Sequence, residues 1–340
     1  MSSLDGCAHS EMVIHHCMGG DVSTMKSNAT KCPLCDVNLT TCFLTAPDRF
    51  HGRRHKYQLM RCSSCSYVWL SSPPKPEEMP VHYSGEYHRA VTQAGENVAS
   101  SRWKTQCQLI CQHKKGGTIL DIGCSSGGFL RTMKGNCWKL YGIEMEPETA
   151  ERAKSATGAD IFVGNAVDAP FLAHSFDVIT CFDVLEHVPE PRQLVSKILE
   201  WLKPGGIFYA GLPNIDSWEA RFLGRYWFGL ELPRHLSHFS PRSLRHLMAS
   251  VGFDEIAVVT SRTSYIERSS SYVYSAALQR IGISPLPMSK CRPKTLLSRA
   301  IRKGLRLSLI VPFGELASLA GAGASIEAVF VKNGSDVRKT

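Results

Sequence analysis

The sequence has no apolar run long enough to cross a bilayer. That argues against a helical membrane protein. Residues 1–28 lack the basic start and apolar segment of a secretory signal; rich in Ser, Gly, His and Met, they read as a disordered tail. An even set of cysteines is also missing. The thirteen present are an odd number and no export signal accompanies them, which disfavours a disulfide framework. A reducing, cytoplasmic setting is expected, with some cysteines on a metal. Nor is charge evenly spread. The formal net charge is +9, yet Lys290, Arg292, Lys294, Arg299, Arg302, Lys303 and Arg306 contribute seven positive charges with no acid between 290 and 314. The basic balance therefore belongs mainly to one segment and does not describe a diffuse nucleic-acid-binding surface.

What is present is a chain of 340 residues with 43% hydrophobic and 20% charged content, enough for one large domain and a small one. Cys32-Pro-Leu-Cys35 and Cys62-Ser-Ser-Cys65 form two C-x2-C knuckles 26 residues apart. Four thiolates in this spacing suit tetrahedral structural zinc, so a zinc ribbon is expected over 29–72 with Cys32, Cys35, Cys62 and Cys65 as ligands. Cys42 is a substitute of poorer spacing. Cys7, His9, His15, His16 and Cys17 in the tail read as incidental. Ser71-Ser-Pro-Pro-Lys-Pro76 is a stiff linker.

From residue 97 the pattern alternates. A helix is expected over 97–113, with strands at 118–122, 138–143, 160–163, 176–182 and 207–212. Helices are expected at 127–135, 147–156 and 190–202, the last stopped by Lys203-Pro-Gly-Gly206. Such alternation implies a parallel sheet covered on both faces. Ser240-Pro241 starts another helix, which Gly252 ends. Strands near 254–260 and 324–331 follow, separated by an insertion of about 60 residues carrying the basic segment. The expected division is a tail (1–28), the ribbon (29–72), an α/β domain (73–260), a helical insertion (261–323), and a last strand with its tail (324–340).

Thr118-Ile-Leu-Asp-Ile-Gly-Cys-Ser-Ser-Gly-Gly-Phe129 reads as buried strand, tight glycine turn and helix start, a place where backbone closely approaches a ligand. Glu144 ends the next apolar run, about 20 residues after Gly123, and a carboxylate at that distance suits the two hydroxyls of a ribose. The glycines do not follow the dinucleotide G-x-G-x-x-G. The stretch resembles motif I of the class I S-adenosylmethionine-dependent methyltransferases. Gly164-Asn165-Ala166, Phe176-Asp177, Asp183-Val-Leu-Glu-His187-Val188 and Leu202-Lys-Pro-Gly-Gly206 fall in the family's order. The resemblance implies a Rossmann-like seven-stranded α/β sheet and S-adenosylmethionine as methyl donor. The cofactor-binding residues it implies are Asp121, Gly123, Cys124, Gly127, Glu144, Met145, Asn165, Ala166, Phe182 and Asp183. Asp121 would orient the glycine loop, unless it merely caps the next helix.

On the acceptor side His187, His235 and His238 are the catalytic candidates, with structural roles as the alternative for each. Tyr83 and Tyr87 are lid candidates. Trp218, Arg221, Arg225, Tyr226 and Trp227 form an aromatic and cationic cluster suited to an anionic or ring-bearing acceptor or to an interface. Leu296–Val311 reads as a basic amphipathic helix that either packs on the domain or makes a peripheral contact with an anionic membrane. The zinc ribbon ahead of this domain resembles bacterial methyltransferases of sugars and secondary metabolites, which implies a small-molecule acceptor: a sugar, glycan precursor or lipid-linked intermediate. An RNA base methyltransferase whose zinc module grips RNA is the alternative, disfavoured by the lack of an N-P-P-Y type motif and the modest basic run Arg53, Arg54 and Lys56. A non-catalytic binding protein on the same fold is the second alternative, and the oligomeric state is left open.

Overall fold

The two cysteine knuckles bracket a β-hairpin. A computed structural model of the chain describes residues 31–83, 103–135, 137–261, 264–280, 304 and 306–334. Strands β1 (Thr40–Pro47) and β2 (Lys56–Cys62) pair antiparallel, and β3 (Val68–Leu70) adds to β2. The larger sheet uses β4 (Gly117–Ile122), β5 (Trp138–Glu144), β6 (Asp160–Val163), β7 (Phe176–Phe182) and β8 (Leu202–Pro213). Later strands are β9 (Ser237–His238), β10 (Phe253–Ser261) and β11 (Ser325–Lys332). In space the seven-stranded sheet runs β10-β11-β8-β7-β4-β5-β6. Strand β11 is antiparallel to both neighbours, whereas β6, β5, β4, β7 and β8 are mutually parallel. Chain order reverses between β4 and β7, so the loops leaving them diverge and open a crevice at their carboxyl ends.

Helices α1 (residues 103–113), α2 (Gly128–Met133), α3 (Pro147–Thr157), α4 (Pro191–Trp201) and α6 (Pro241–Val251) accompany this sheet, with a short α5 (Trp218–Leu223) between β8 and β9. Pro191 opens α4 and its apolar residues Leu194, Val195, Ile198 and Trp201 share one buried face. The expected stop after α4 differs in detail: Leu202 to Gly206 is already strand β8, paired with Phe176. Gly205 takes φ +72°, and the register shifts between Phe176 and Val178, so the Pro-Gly-Gly run makes a bulge within the sheet. Helix α6 begins and ends where expected. Ser240 and Ser243 form a reciprocal capping box, Pro241 occupies the first turn, and Gly252 closes the helix in the left-handed conformation.

The expected boundary at residue 72 divides segments that share a core. Cys32, Leu34, Cys62, Cys65, Tyr67 and Trp69 pack in the same apolar cluster as Leu194, Leu212, Phe239 and Leu244. The N-terminal sheet is completed by a strand from far along the chain: its order is β1-β2-β3-β9, with Val68 opposite His238. Of the insertion, α7 (Ile266–Arg280) and α8 (Val311–Leu319) are helical. Most of Leu296–Val311 lies outside the described residues, as do the tail cysteines and histidines, Tyr87 and the start of the 97–113 helix. Leu307 and Leu309 are 60% and 62% exposed, so Leu309 does not pack on the domain as an apolar face would. Among the described residues no helix is long and apolar enough to cross a membrane.

Candidate active site

The turn after β4 is built for close backbone approach. Gly123 and Gly127 adopt φ +72° and +79°. A Cβ at Gly123 would lie 2.4 Å from Val184 and one at Gly127 2.8 Å from Thr157, so no other residue fits without displacement. Cys124 is buried against Gly142 of β5, where a Cβ would meet its sulfur at 2.7 Å; it is a packing residue of the turn. The Gly123 and Cys124 amides both donate to the Ile143 carbonyl, which ties the turn to β5. Glu144 ends β5 beside this turn and accepts from the backbone amides of Ser125 (2.9 Å) and Glu146 (3.0 Å). Asp121 is buried and accepts from Thr180 Oγ1 at 2.7 Å, not from the next helix, which removes the capping alternative. Burial, with the nearby Glu144 charge, pushes its carboxyl up to about 7 against the opposing Thr180 hydrogen bond.

The other expected donor-side residues divide. Met145 is 72% exposed at the crevice edge. Asn165 caps a one-turn 3-10 helix, Ala166–Asp168, by accepting from Val167 N. Asp183 sits just past β7 with φ +54° and is exposed. Phe182 packs in an aromatic cluster with Trp103, Phe129 and Tyr209. Trp103, on α1 and not among the expected site residues, places its indole nitrogen 3.3 Å from where a Cβ at Gly128 would lie.

The four knuckle sulfurs converge. Cys32 and Cys65 Sγ are 3.6 Å apart, as are Cys35 and Cys62, and all four lie within 4.8 Å of one another. A tetrahedron with metal–sulfur bonds of about 2.3 Å has edges of about 3.8 Å, so the arrangement fits a tetrahedral thiolate site. Cys42 is on β1, exposed, and accepts from Gln58; it is not part of the cluster.

A second cluster, on which the acceptor-side candidates fall, assembles distant segments around a 3-10 turn, Leu185–His187, that follows β7. The Arg234 carbonyl accepts from His187 Nδ1 at 3.1 Å, and the Tyr83 hydroxyl lies 3.0 Å from the same nitrogen. A carbonyl can only accept, so Nδ1 carries the proton and Nε2 keeps its lone pair. His235 behaves alike, its Nδ1 donating to Gly229 O at 2.9 Å. The two rings meet edge to face with centroids 4.6 Å apart. Glu186, 2% exposed, closes the group, and among the described residues neither of its oxygens has a hydrogen-bond partner. Burial drives the Glu186 carboxyl well above the carboxylate range and the two imidazoles below the usual histidine range. His235 Nε2 approaches Glu186 to 4.0 Å, and burial disfavours the charged form of each.

His238 adjoins this group, its ring edge to face with that of His235 at 6.0 Å between centroids. It lies on β9 and its Nε2 donates to Leu230 O, with burial lowering its imidazole to about 4, so it braces the 228–230 turn. The expected aromatic and cationic cluster is dispersed. Trp227 is core, Trp218 packs on Phe313, and Arg49 of the N-terminal module stacks over Tyr226 and binds the Arg225 carbonyl. Arg53 is equally committed, to His82 and the Val81 carbonyl, which weakens the case for RNA on that basic run. A cavity of about 400 Å³ lined by Arg53, His55, Tyr57, Pro73, Pro74 and His82 adjoins this module.

With this geometry in hand, comparison with known proteins is informative. A family model described as "Methyltransferase domain" matches residues 97–258, which contain the glycine turn, Glu144 and the 183–188 segment. That match spans just under half of the chain and makes residues 97–258 similar to a methyltransferase domain. Ubiquinone biosynthesis O-methyltransferase of Erwinia tasmaniensis is 32% identical over 136 residues, 37% of this chain and 56% of that protein. The namesake of Idiomarina loihiensis is 28% identical over 160 residues, 42% of this chain and 64% of its own length. The chain thus spans between half and two thirds of the length of these relatives. Among solved structures, phosphoethanolamine N-methyltransferase 2 of Haemonchus contortus, in complex with S-adenosyl-L-methionine, shares the fold at TM-score 0.50 and 16% identity, over 78% of this chain and 63% of that one. That likeness is one of fold, carried by the seven-stranded sheet and its helices.

Proposed function

We propose that the protein transfers a methyl group from S-adenosylmethionine to a hydroxyl oxygen of a small molecule, with sugars, glycan precursors and lipid-linked intermediates as the acceptor class. The observation that carries the reading is His187. It lies beyond the end of β7, next to the donor crevice, and its tautomer leaves Nε2 free to take a proton. The relatives' printed name, an O-methyltransferase of a small molecule, supports an oxygen acceptor.

When bound, the donor supplies an already activated methyl group. The Gly123–Gly127 turn and Asp121 would hold its amino-acid end, Glu144 its ribose hydroxyls, and Asn165 with Ala166 its adenine. Catalysis then consists mainly of alignment, for which the sheet ends supply a rigid base. The acceptor oxygen bonds to the methyl carbon as the carbon–sulfur bond breaks, and the hydroxyl proton passes to His187 Nε2. Because burial keeps His187 neutral, it is available as a base at neutral pH. Glu186, held neutral, adds no charge that would trap that proton.

The thiolate cluster is proposed as structural zinc, since four cysteines leave no open coordination position. Purified protein should contain about one zinc per chain, and Cys62→Ser should lose it and destabilise the N-terminal sheet. The function itself is tested with methyl-labelled S-adenosylmethionine and fractionated cell extract. Label in a base-stable, small-molecule ether is expected; label in RNA alone would overturn the acceptor class, and no binding of the donor by calorimetry would overturn the reaction.

A further inference from the structure

Two fully buried charges connect the N-terminal module to His187. Asp48 follows β1 at the hairpin's far end from the cysteine knuckles and is 0% exposed. Its Oδ2 accepts from His51 Nδ1 at 2.9 Å and its Oδ1 from the His51 amide at 3.1 Å. Three more basic groups surround it: His82 Nδ1 at 3.5 Å, Arg53 Nε at 4.0 Å and Arg234 NH1 at 3.9 Å. Arg234 is also 0% exposed. Its Nε donates to Glu231 at 3.2 Å, its NH1 donates to the His82 carbonyl at 3.3 Å, and Phe50 faces its guanidinium.

A guanidinium this deep is held only where carboxylates and carbonyls compensate it. Glu231 comes from the same loop, three residues away, and so cannot by itself fix where that loop sits. Asp48 and the His82 carbonyl come from the other side of the molecule and can. The Arg234 backbone carbonyl is in turn the group that accepts from His187 Nδ1. The next residue in the chain after His82, Tyr83, places its hydroxyl on the same nitrogen. Both contacts to His187 Nδ1 thus depend on residues that Asp48 and its neighbours hold in place.

We propose that Asp48 is a positioning residue for methyl transfer: by anchoring Arg234 from the N-terminal module, it sets the carbonyl that fixes His187 in the tautomer with a free Nε2. This rests on the methyl-transfer reading and adds to it that the N-terminal module is part of the acceptor site. Asp48 touches neither substrate. Its effect passes through Arg234, and it makes the module a working wall of the site, not an appended grip for nucleic acid.

The test uses the full chain and Asp48→Asn, which keeps shape and removes charge. Expected is a fall in kcat of tenfold to about a hundredfold, the order seen when a catalytic group is misplaced by about 1 Å, with the dissociation constant for S-adenosylmethionine and the metal content unchanged. Imidazole nitrogen-15 spectra should show His187 as a single Nδ1–H tautomer in the wild type and as a tautomer mixture in the variant. The pH dependence of kcat should shift as well, because Glu186, Glu231, Asp183, Arg234 and His235 all face His187 and their balance changes. Asp48→Glu, which keeps the charge but displaces it by one methylene, should fall between the two, and it serves if Asp48→Asn does not fold. A folded Asp48 variant with wild-type kcat and an unchanged His187 tautomer would overturn the proposal. If the wild type transfers no methyl group, the functional reading fails instead, and the tautomer spectra still decide whether Asp48 governs His187.

Discussion

The two sides of the crevice are made differently. The proposed donor side follows the chain in order: the turn after β4, the end of β5 and Asn165 just past β6 succeed one another, and Glu144 reaches the turn amide of Ser125 at 2.9 Å. Its carboxylates have hydrogen-bond donors. The proposed acceptor side draws on residues 48–53, 82–83, 186–187 and 229–238, and at its centre Glu186 has none among the described residues. A binding site for a constant ligand can be satisfied by local backbone. A site that moves a proton needs groups whose ionisation burial has shifted, and burial of this kind takes several segments to assemble.

If this contrast is right, damage on the two sides should separate into binding and turnover. His187→Ala should lower kcat by about 10²–10⁴-fold, the usual worth of a positioned base, and leave the donor's dissociation constant unchanged in calorimetry. Glu144→Ala should do the reverse first. Losing two hydrogen bonds to a charged group, about 1.5–3 kcal/mol each, should weaken donor binding by at least a hundredfold, and saturating donor should recover part of the rate. Equal loss of donor affinity in both variants would collapse the distinction.

Glu186 sharpens it further. Its carboxyl is raised in the folded state, so as pH climbs through the ordinary carboxylate range the unfolded chain releases a proton that the folded chain keeps. The contribution of Glu186 to stability is therefore fully present below that range and declines as pH rises, by up to about 1.4 kcal/mol per pH unit. Glu186→Gln should flatten this decline in denaturant melts at successive pH values; an unchanged slope would mean that Glu186 is ionised in the fold. The smallest expected effect lies far from the crevice. Ser240→Ala should cost about 1 kcal/mol of stability by removing the α6 cap, with kcat per folded molecule unaltered.

The same contrast governs how much could be read from the sequence. The glycine turn, Glu144, the cysteine knuckles and the Ser240-Pro241 start each announce themselves within a few residues, because a local backbone demand selects a residue type at a fixed spacing. Asp48 and Arg234 could not be paired in this way, being 186 residues apart with nothing in their local sequence to mark burial. Glu186 was visible as an acid beside His187, but its lack of any donor depends on which walls close over it. His238 shows the converse. It shares a motif with His235, yet β-pairing with Val68 turns its role to bracing.

The pairing of β3 with β9 sets a timetable for synthesis. Val68 leaves the ribosome 170 residues before His238, its partner across the sheet. At about 5–20 residues per second the gap lasts roughly 10–30 s, during which β3 is an open strand edge beside buried apolar side chains such as Tyr67 and Trp69. Early metal capture by the knuckles would keep this nascent hairpin ordered while it waits for the rest of its sheet.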